Sequence, residues 1–155
     1  MTNVEKRLLE NGIELPECPV PVASYVSARE GNGFIFASGQ TAWVDGTLKY
    51  VGKVGQEISL EEGYESAKIA AIRCISELRS VADLDSLRII KVNGYINSTA
   101  DYGDQPKVLN GASDLFVLAF GEKGKHARAA IGVGSLPDKA SVEVEVIACI
   151  EKEKD

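Results

Sequence analysis

Apolar positions recur along this chain with two different spacings. In "SLEEGYESAKIAAIRCISELRSV", Tyr64, Ala67, Ala71, Cys74, Ile75 and Leu78 return at steps of three and four, the period of one buried helix face. Ser59 followed three residues later by Glu62 is a capping box that starts this helix. Cys74 lies in the stripe and reads as core filler. A second helix is expected after Asp104, which can cap it. Pro106 fits its first turn, Leu109, Ala112, Phe116 and Phe120 share a face, and Gly121 or Gly124 can end it. A short helix is expected over 3–11, with Val4, Leu8 and Leu9 apolar and Gly12 as its stop.

The other spacing is the alternation of strands. Three prolines in "IELPECPVPVASYVSA" suit an extended lead into a first strand around 23–29. "GNG" then turns the chain into a second strand, "FIFASG". "VDGTLKYVGKVG" holds another turn and a short strand near 48–51. "LRIIKVNGYIN", 87–97, is rich in strand formers with only partial alternation. Two alternating runs close the chain, 127–134 and 141–149, joined by "SLPDKA". The order β-β-β-α-β-α-β-β predicts an α+β fold, a two-layer sandwich with two helices on one face of a mixed sheet. The other face of the sheet has no cover within one chain, so self-association is expected.

Charges interrupt the last two runs. In the first, Ala129, Ile131 and Val133 share one face, and Arg128, Ala130, Gly132 and Gly134 the other. In the second, Val142, Val144 and Val146 oppose Ser141, Glu143, Glu145, Ile147 and Cys149. If the runs pair as a hairpin with their apolar faces together, Arg128, Glu143 and Glu145 share one face among small residues. This register puts Glu145 nearer to Arg128 than Glu143. Such a face is either solvated, with an ion pair worth ~0–1 kcal/mol, or a subunit-interface pocket. In the pocket, Arg128 would hold an anion, a glutamate would move protons, and the glycines would leave room for a ligand.

Composition narrows the field. At 155 residues, with 45% hydrophobic and 26% charged positions, the chain reads as one globular domain over 1–155, residues 1–20 forming an N-terminal extension. A net charge of −6 with dispersed lysines and arginines disfavours a nucleic-acid partner. No apolar run approaches the ~20 residues needed to span a membrane, and the N-terminus lacks the apolar core of a secretory signal. Three cysteines without CxxC spacing suggest reduced thiols, a cytoplasmic location and no zinc site. The single histidine, His126, offers little to a metal cluster or a Ser-His-Asp triad and is expected to be exposed at a strand entrance. Tyr25 reads as a core aromatic or a pocket wall, and Trp43 as a loop anchor. Ser38 and Gly39 end a strand where backbone groups can meet a ligand, and Asn110 lies near a helix start.

Taken together, "SYV", "GNGFIFASGQ", "VNGYINSTADY", "LNGASDLF" and "ARAAIGVGSLPDKASVEVEVIA" resemble the RidA/YjgF family, also labelled endoribonuclease L-PSP, over roughly residues 20–150. The extended N-terminus and the "FGEKGKHAR" segment are similar to a divergent subgroup. The resemblance implies a chorismate-mutase-like fold and a homotrimer with helices outside and clefts between subunits. It implies hydrolysis of reactive 2-imino or enamine acids to 2-keto acids and ammonia, with no metal or organic cofactor. It also implies that Arg128 binds the substrate carboxylate, that Glu143 activates water, and that Tyr25, Ser38, Gly39 and Asn110 line the substrate. Asn110 matches across a one-residue insertion before Arg128. Where a cysteine is frequent in the family this chain has Ala130, and Gly132 and Gly134 replace larger residues, so pocket shape and substrate choice are expected to differ. A non-catalytic trimer that binds small carboxylates such as keto acids is the alternative. The ribonuclease of the older label ranks third, because the chain is acidic and lacks a histidine pair.

Overall fold

Each long helix begins close to its start signal. α1 (Asn3–Glu10) opens on a reciprocal box between Thr2 and Glu5, and α2 (Leu60–Arg79) on the expected one between Ser59 and Glu62. α3 (Gln105–Phe120) differs, because the Asp104 side chain makes no capping bond. It pairs with Lys107 at 3.4 Å instead, while its backbone carbonyl accepts the amides of Lys107 and Val108. Gly121 ends α3 at φ 63°, a left-handed value that glycine adopts without strain. In this computed structural model residues 1–152 are described; the last three residues of the domain expected over 1–155 lie outside the described residues.

β1 (Ala28–Gly31) and β2 (Phe34–Ala37) form a hairpin. Its turn, Asn32–Gly33, has positive φ at both positions, as a type I′ turn requires. The first strand thus starts later than the expected 23–29. β3 (Trp43–Val44) and β4 (Thr47–Leu48) make a separate two-stranded ribbon, so the short strand overlaps the expected 48–51 only at Leu48. β5 (Leu87–Asn97), β6 (Ala127–Val133) and β7 (Val142–Ile150) complete a five-stranded sheet in the order β1-β2-β7-β5-β6. β6 runs parallel to β5 and the other pairs are antiparallel. α2 and α3 pack against each other and cover one face, and α1 docks on α3 through Val4 and Leu8.

The order overturns the expected terminal hairpin. β6 and β7 do not pair, because β5 lies between them. The crossover β5–α3–β6 lays β6 parallel beside β5, which leaves β7 the other edge of β5. In the ladder, Val92 stands between Arg128 and Val146, Asn93 between Ala129 and Glu145, and Tyr95 between Ile131 and Glu143. Neighbours in a ladder project to the same face. Arg128 therefore shares the helix-covered face with the valines of β7, and Glu143 and Glu145 project to the opposite, open face. The expectation that the three charges share one face is wrong.

A bulge explains the partial alternation of β5. The register with β7 shifts between Ile89 and Lys91, so odd-numbered Leu87 and Ile89 point into the core before it and even-numbered Val92 and Ile96 after it. Cys74 is fully buried as expected, its thiol donating to the Val144 carbonyl at 3.3 Å. The open face leaves Phe34, Phe36 and Ile131 43%, 51% and 49% exposed. Among the described residues, no helix is long and apolar enough to cross a membrane.

Candidate functional site

Arg128 sits on an edge strand, beneath the polar side of α3. Its Nη1 donates to Asn110 Oδ1 at 2.9 Å and Ser113 Oγ at 3.1 Å, and Nη2 donates to the Pro106 carbonyl at 3.3 Å. Of five guanidinium donors these bonds use three, leaving Nε–H and one Nη2–H without a partner among the described residues. Asn110 and Ser113, three residues apart on one helix, act as a bracket. Asn110 thus holds the arginine, and Ser113 was missed by the sequence reading although its spacing from Asn110 marks it.

The other residues gather at the opposite side of the sheet. β2 pairs with β7 through Phe36–Ile147, and beyond it Gln40 bridges Val144. Residues 37–39 thus face only 145–146, and the chain bulges at Ser38–Gly39. Ser38 Oγ donates to the Val26 carbonyl at 2.7 Å. Ser38 and Tyr25, which is 53% exposed, line an open groove of about 590 Å³ with Phe36 and Arg29. Tyr25 is a pocket wall rather than a core aromatic. A side chain on residue 39 would start 2.9 Å from Glu143 Oε2, so glycine is what lets that carboxylate lie against the bulge.

The two glutamates differ in their surroundings. Tyr95 donates its hydroxyl to Glu145 Oε1 at 2.6 Å and Asn93 its amide to the same oxygen at 3.2 Å. Glu143 has no hydrogen-bond partner among the described residues, and its pKa is raised, first by burial and then by the charge of Glu145. A carboxylate in that state is suited to taking and returning a proton.

Two sequence expectations change here. The space beside Gly132 is already filled by the Gln105 amide nitrogen and Ser98 Oγ, 2.8 and 2.9 Å from where a Cβ would stand. The room lies further out, in a cleft of about 680 Å³ that Gly132 and Gly134 line with Lys53, Ser98 and Gln105. His126 is half-buried rather than exposed, hydrogen-bonded to Ser113 and the Gly124 carbonyl.

Behind the bulge, Gln40 links the buried Glu77 to the half-buried Arg73. Its amide donates to Glu77 Oε1 at 2.7 Å and accepts from Arg73 Nε at 2.9 Å, and Arg73 also reaches the Trp43 carbonyl at 3.3 Å. Glu77 is fully buried with Oε2 unpartnered among the described residues. Burial pushes its pKa up to about 8, against the lowering effects of Gln40 and Arg73.

Arg128 and the Ser38–Gly39–Glu143 group cannot meet within one chain. β6 and β2 are three strand spacings apart, about 14 Å, and the side chains leave opposite faces. Within one chain the two groups stand apart.

Comparison with known proteins places the chain in a family. The model of the family described as "YjgF/chorismate mutase-like, putative endoribonuclease" matches residues 5–150. The chain is 36% identical to protein TCP17 of Trypanosoma cruzi over 93% of its own length and 92% of that protein's. It is 33% identical to a RutC family protein of Aquifex aeolicus, over 88% and 96%. Among solved structures, the Agrobacterium tumefaciens protein Atu1372, of unknown function, superposes with a TM-score of 0.89 at 34% identity, covering 96% of this chain and 92% of that one. A Shewanella oneidensis protein described as a putative endoribonuclease gives 0.91 at 29%, covering 96% and 100%.

Proposed function

The chain belongs to the YjgF/chorismate mutase-like family, and from that premise we propose that it hydrolyses reactive 2-imino or enamine acids to 2-keto acids and ammonia. The working form is a homotrimer of single-domain chains in the cytoplasm, in which the open sheet faces pack together. Each cleft joins Arg128 and Asn110 of one copy to Tyr25, Ser38, Gly39 and Glu143 of the next. The observation that carries this reading is the state of Arg128. Its guanidinium is bracketed from behind, and the two remaining donors match a planar carboxylate in a way lysine could not.

The chemistry asks little more of the chain. Water adds to the electrophilic C=N carbon while Glu143 accepts its proton. The proton passes to nitrogen and gives a carbinolamine; Glu143 then moves the hydroxyl proton to nitrogen as the C–N bond breaks, and ammonia leaves a keto acid still held by Arg128. Proton transfer of this kind contributes ~10²–10⁴-fold. Glu145, tied to Tyr95 and Asn93, acts on the reaction only through its charge on Glu143. Ala130 supplies no thiol, and none of these steps needs one.

The test generates 2-aminoacrylate with a pyridoxal-phosphate dehydratase and follows loss of the imine. Wild type is expected to exceed the spontaneous rate. Arg128→Ala should lower kcat/KM about 100-fold or more, and Glu143→Gln should lower kcat. Equal rates for wild type and Arg128→Ala, neither above background, would sink the deaminase. Keto-acid binding lost in Arg128→Ala without any turnover would identify a carboxylate-binding trimer instead.

A further inference from the structure

His126, the one histidine in the chain, has no part in that chemistry, yet its ring is pinned at both nitrogens. Nδ1 lies 2.6 Å from the Gly124 carbonyl oxygen. A carbonyl only accepts, so Nδ1 carries the hydrogen. Nε2 lies 2.9 Å from Ser113 Oγ. In the neutral ring it is the bare nitrogen and accepts the serine hydroxyl. Phe116 meets the imidazole edge-on, ring centroids 5.8 Å apart. With its proton directed to His126, Ser113 turns lone pairs toward Arg128, whose Nη1 donates to it at 3.1 Å. The bonds run one way, from Arg128 through Ser113 and His126 to the Gly124 carbonyl.

This direction requires a neutral ring, and the surroundings favour one. Burial lowers the His126 pKa, the Gly124 bond opposes that, and the Arg128 charge lowers it further, for a net fall from 6.5. Of the other charged groups nearby, Lys125 pairs with Glu122 at 2.6 Å, Lys123 pairs with Glu151 at 3.0 Å, and Asp114 accepts the Tyr64 hydroxyl. Lys91 stands across the ladder from Ala127, the residue after His126.

We propose that His126, acting through Ser113, is a positioning residue of the Arg128 site, fixing the serine hydroxyl so that the guanidinium keeps Nε–H and one Nη2–H turned to a small carboxylate. This rests on the reading of Arg128 as a carboxylate anchor. Without an acceptor at position 126, the Ser113 hydroxyl rotates toward the carbonyl one turn back in α3, and the bracket loosens.

Pyruvate is the probe. Its binding is measured by calorimetry. Ser113→Ala and His126→Phe should each weaken pyruvate about 3- to 10-fold. His126→Gln, whose amide oxygen can accept from Ser113, should restore affinity to within about twofold of wild type. Undiminished binding in folded Ser113→Ala, with binding abolished in Arg128→Ala, overturns this proposal alone. So does undiminished binding in folded His126→Phe. Failure of wild type to bind pyruvate overturns the carboxylate reading and this proposal with it.

Discussion

Glu77 shows how a single side chain behind the site can set a property of the whole protein. Its carboxyl is fully buried, and burial raises its pKa from 4.5 to about 8. The folded chain thus holds a proton that the unfolded chain releases between those values, so stability falls as pH rises through that window. Glu77→Gln keeps the acceptor for Gln40 and removes the titration. Thermal melts should show a flatter stability profile from pH 4.5 to 8 and a gain of ~1–3 kcal/mol at the upper end. A variant whose loss of stability grows as pH rises above 4.5 would show that the carboxylate is ionised against Arg73. Glu77 was not legible in the sequence because it follows Cys74 and Ile75 on a helix assigned one apolar stripe. The C-terminal half of α2 is buried more widely than that, with Ser76 and Glu77 both inside.

At the scale of elements, close approach of the helices and the identity of the edge strand decide the architecture of the site. A Cβ on Gly111 would run into the Tyr64 carbonyl of α2, so glycine there sets how near α3 lies to α2. Gly111→Ala should cost ~2–3 kcal/mol in denaturant titrations, because the obstacle is backbone and cannot rotate aside. Asn110 and Ser113 flank this contact, so the same variant should weaken pyruvate binding at Arg128. The periods of α2, α3 and the strands were legible. The side to which Arg128 points was not, because alternation assigns residues to two faces without saying which is covered. β6 lies at the sheet edge under polar positions of α3, so its apolar residues face outward and its arginine faces the helix.

For the whole molecule, the open face is the main consequence of the topology. Phe34, Phe36 and Ile131 stand on it half-exposed beside Tyr95 and the two glutamates, and this patch is what the proposed trimer buries. Ile131→Glu places a charge in that contact without touching the core. Sedimentation should show wild type as a trimer and Ile131→Glu as a monomer, with deaminase activity lost although Arg128 and Glu143 are intact. A wild type that sediments as a monomer would remove the composite cleft and the mechanism built on it.

The sequence by itself determined the elements, the α+β class, the family, and the residue types on which the chemistry depends, because helix and strand periods, caps and turns act over a few residues. It also singled out Arg128 and Glu143. Only the tertiary structure decided that β5 separates β6 from β7, that the arginine and glutamates leave opposite faces, and that Ser113 and His126 stand behind the guanidinium. Those facts depend on which strands become neighbours and which face the helices cover. Strand order is set by crossover handedness and burial summed over the whole sheet, and no local pattern in the last thirty or so residues carries that information.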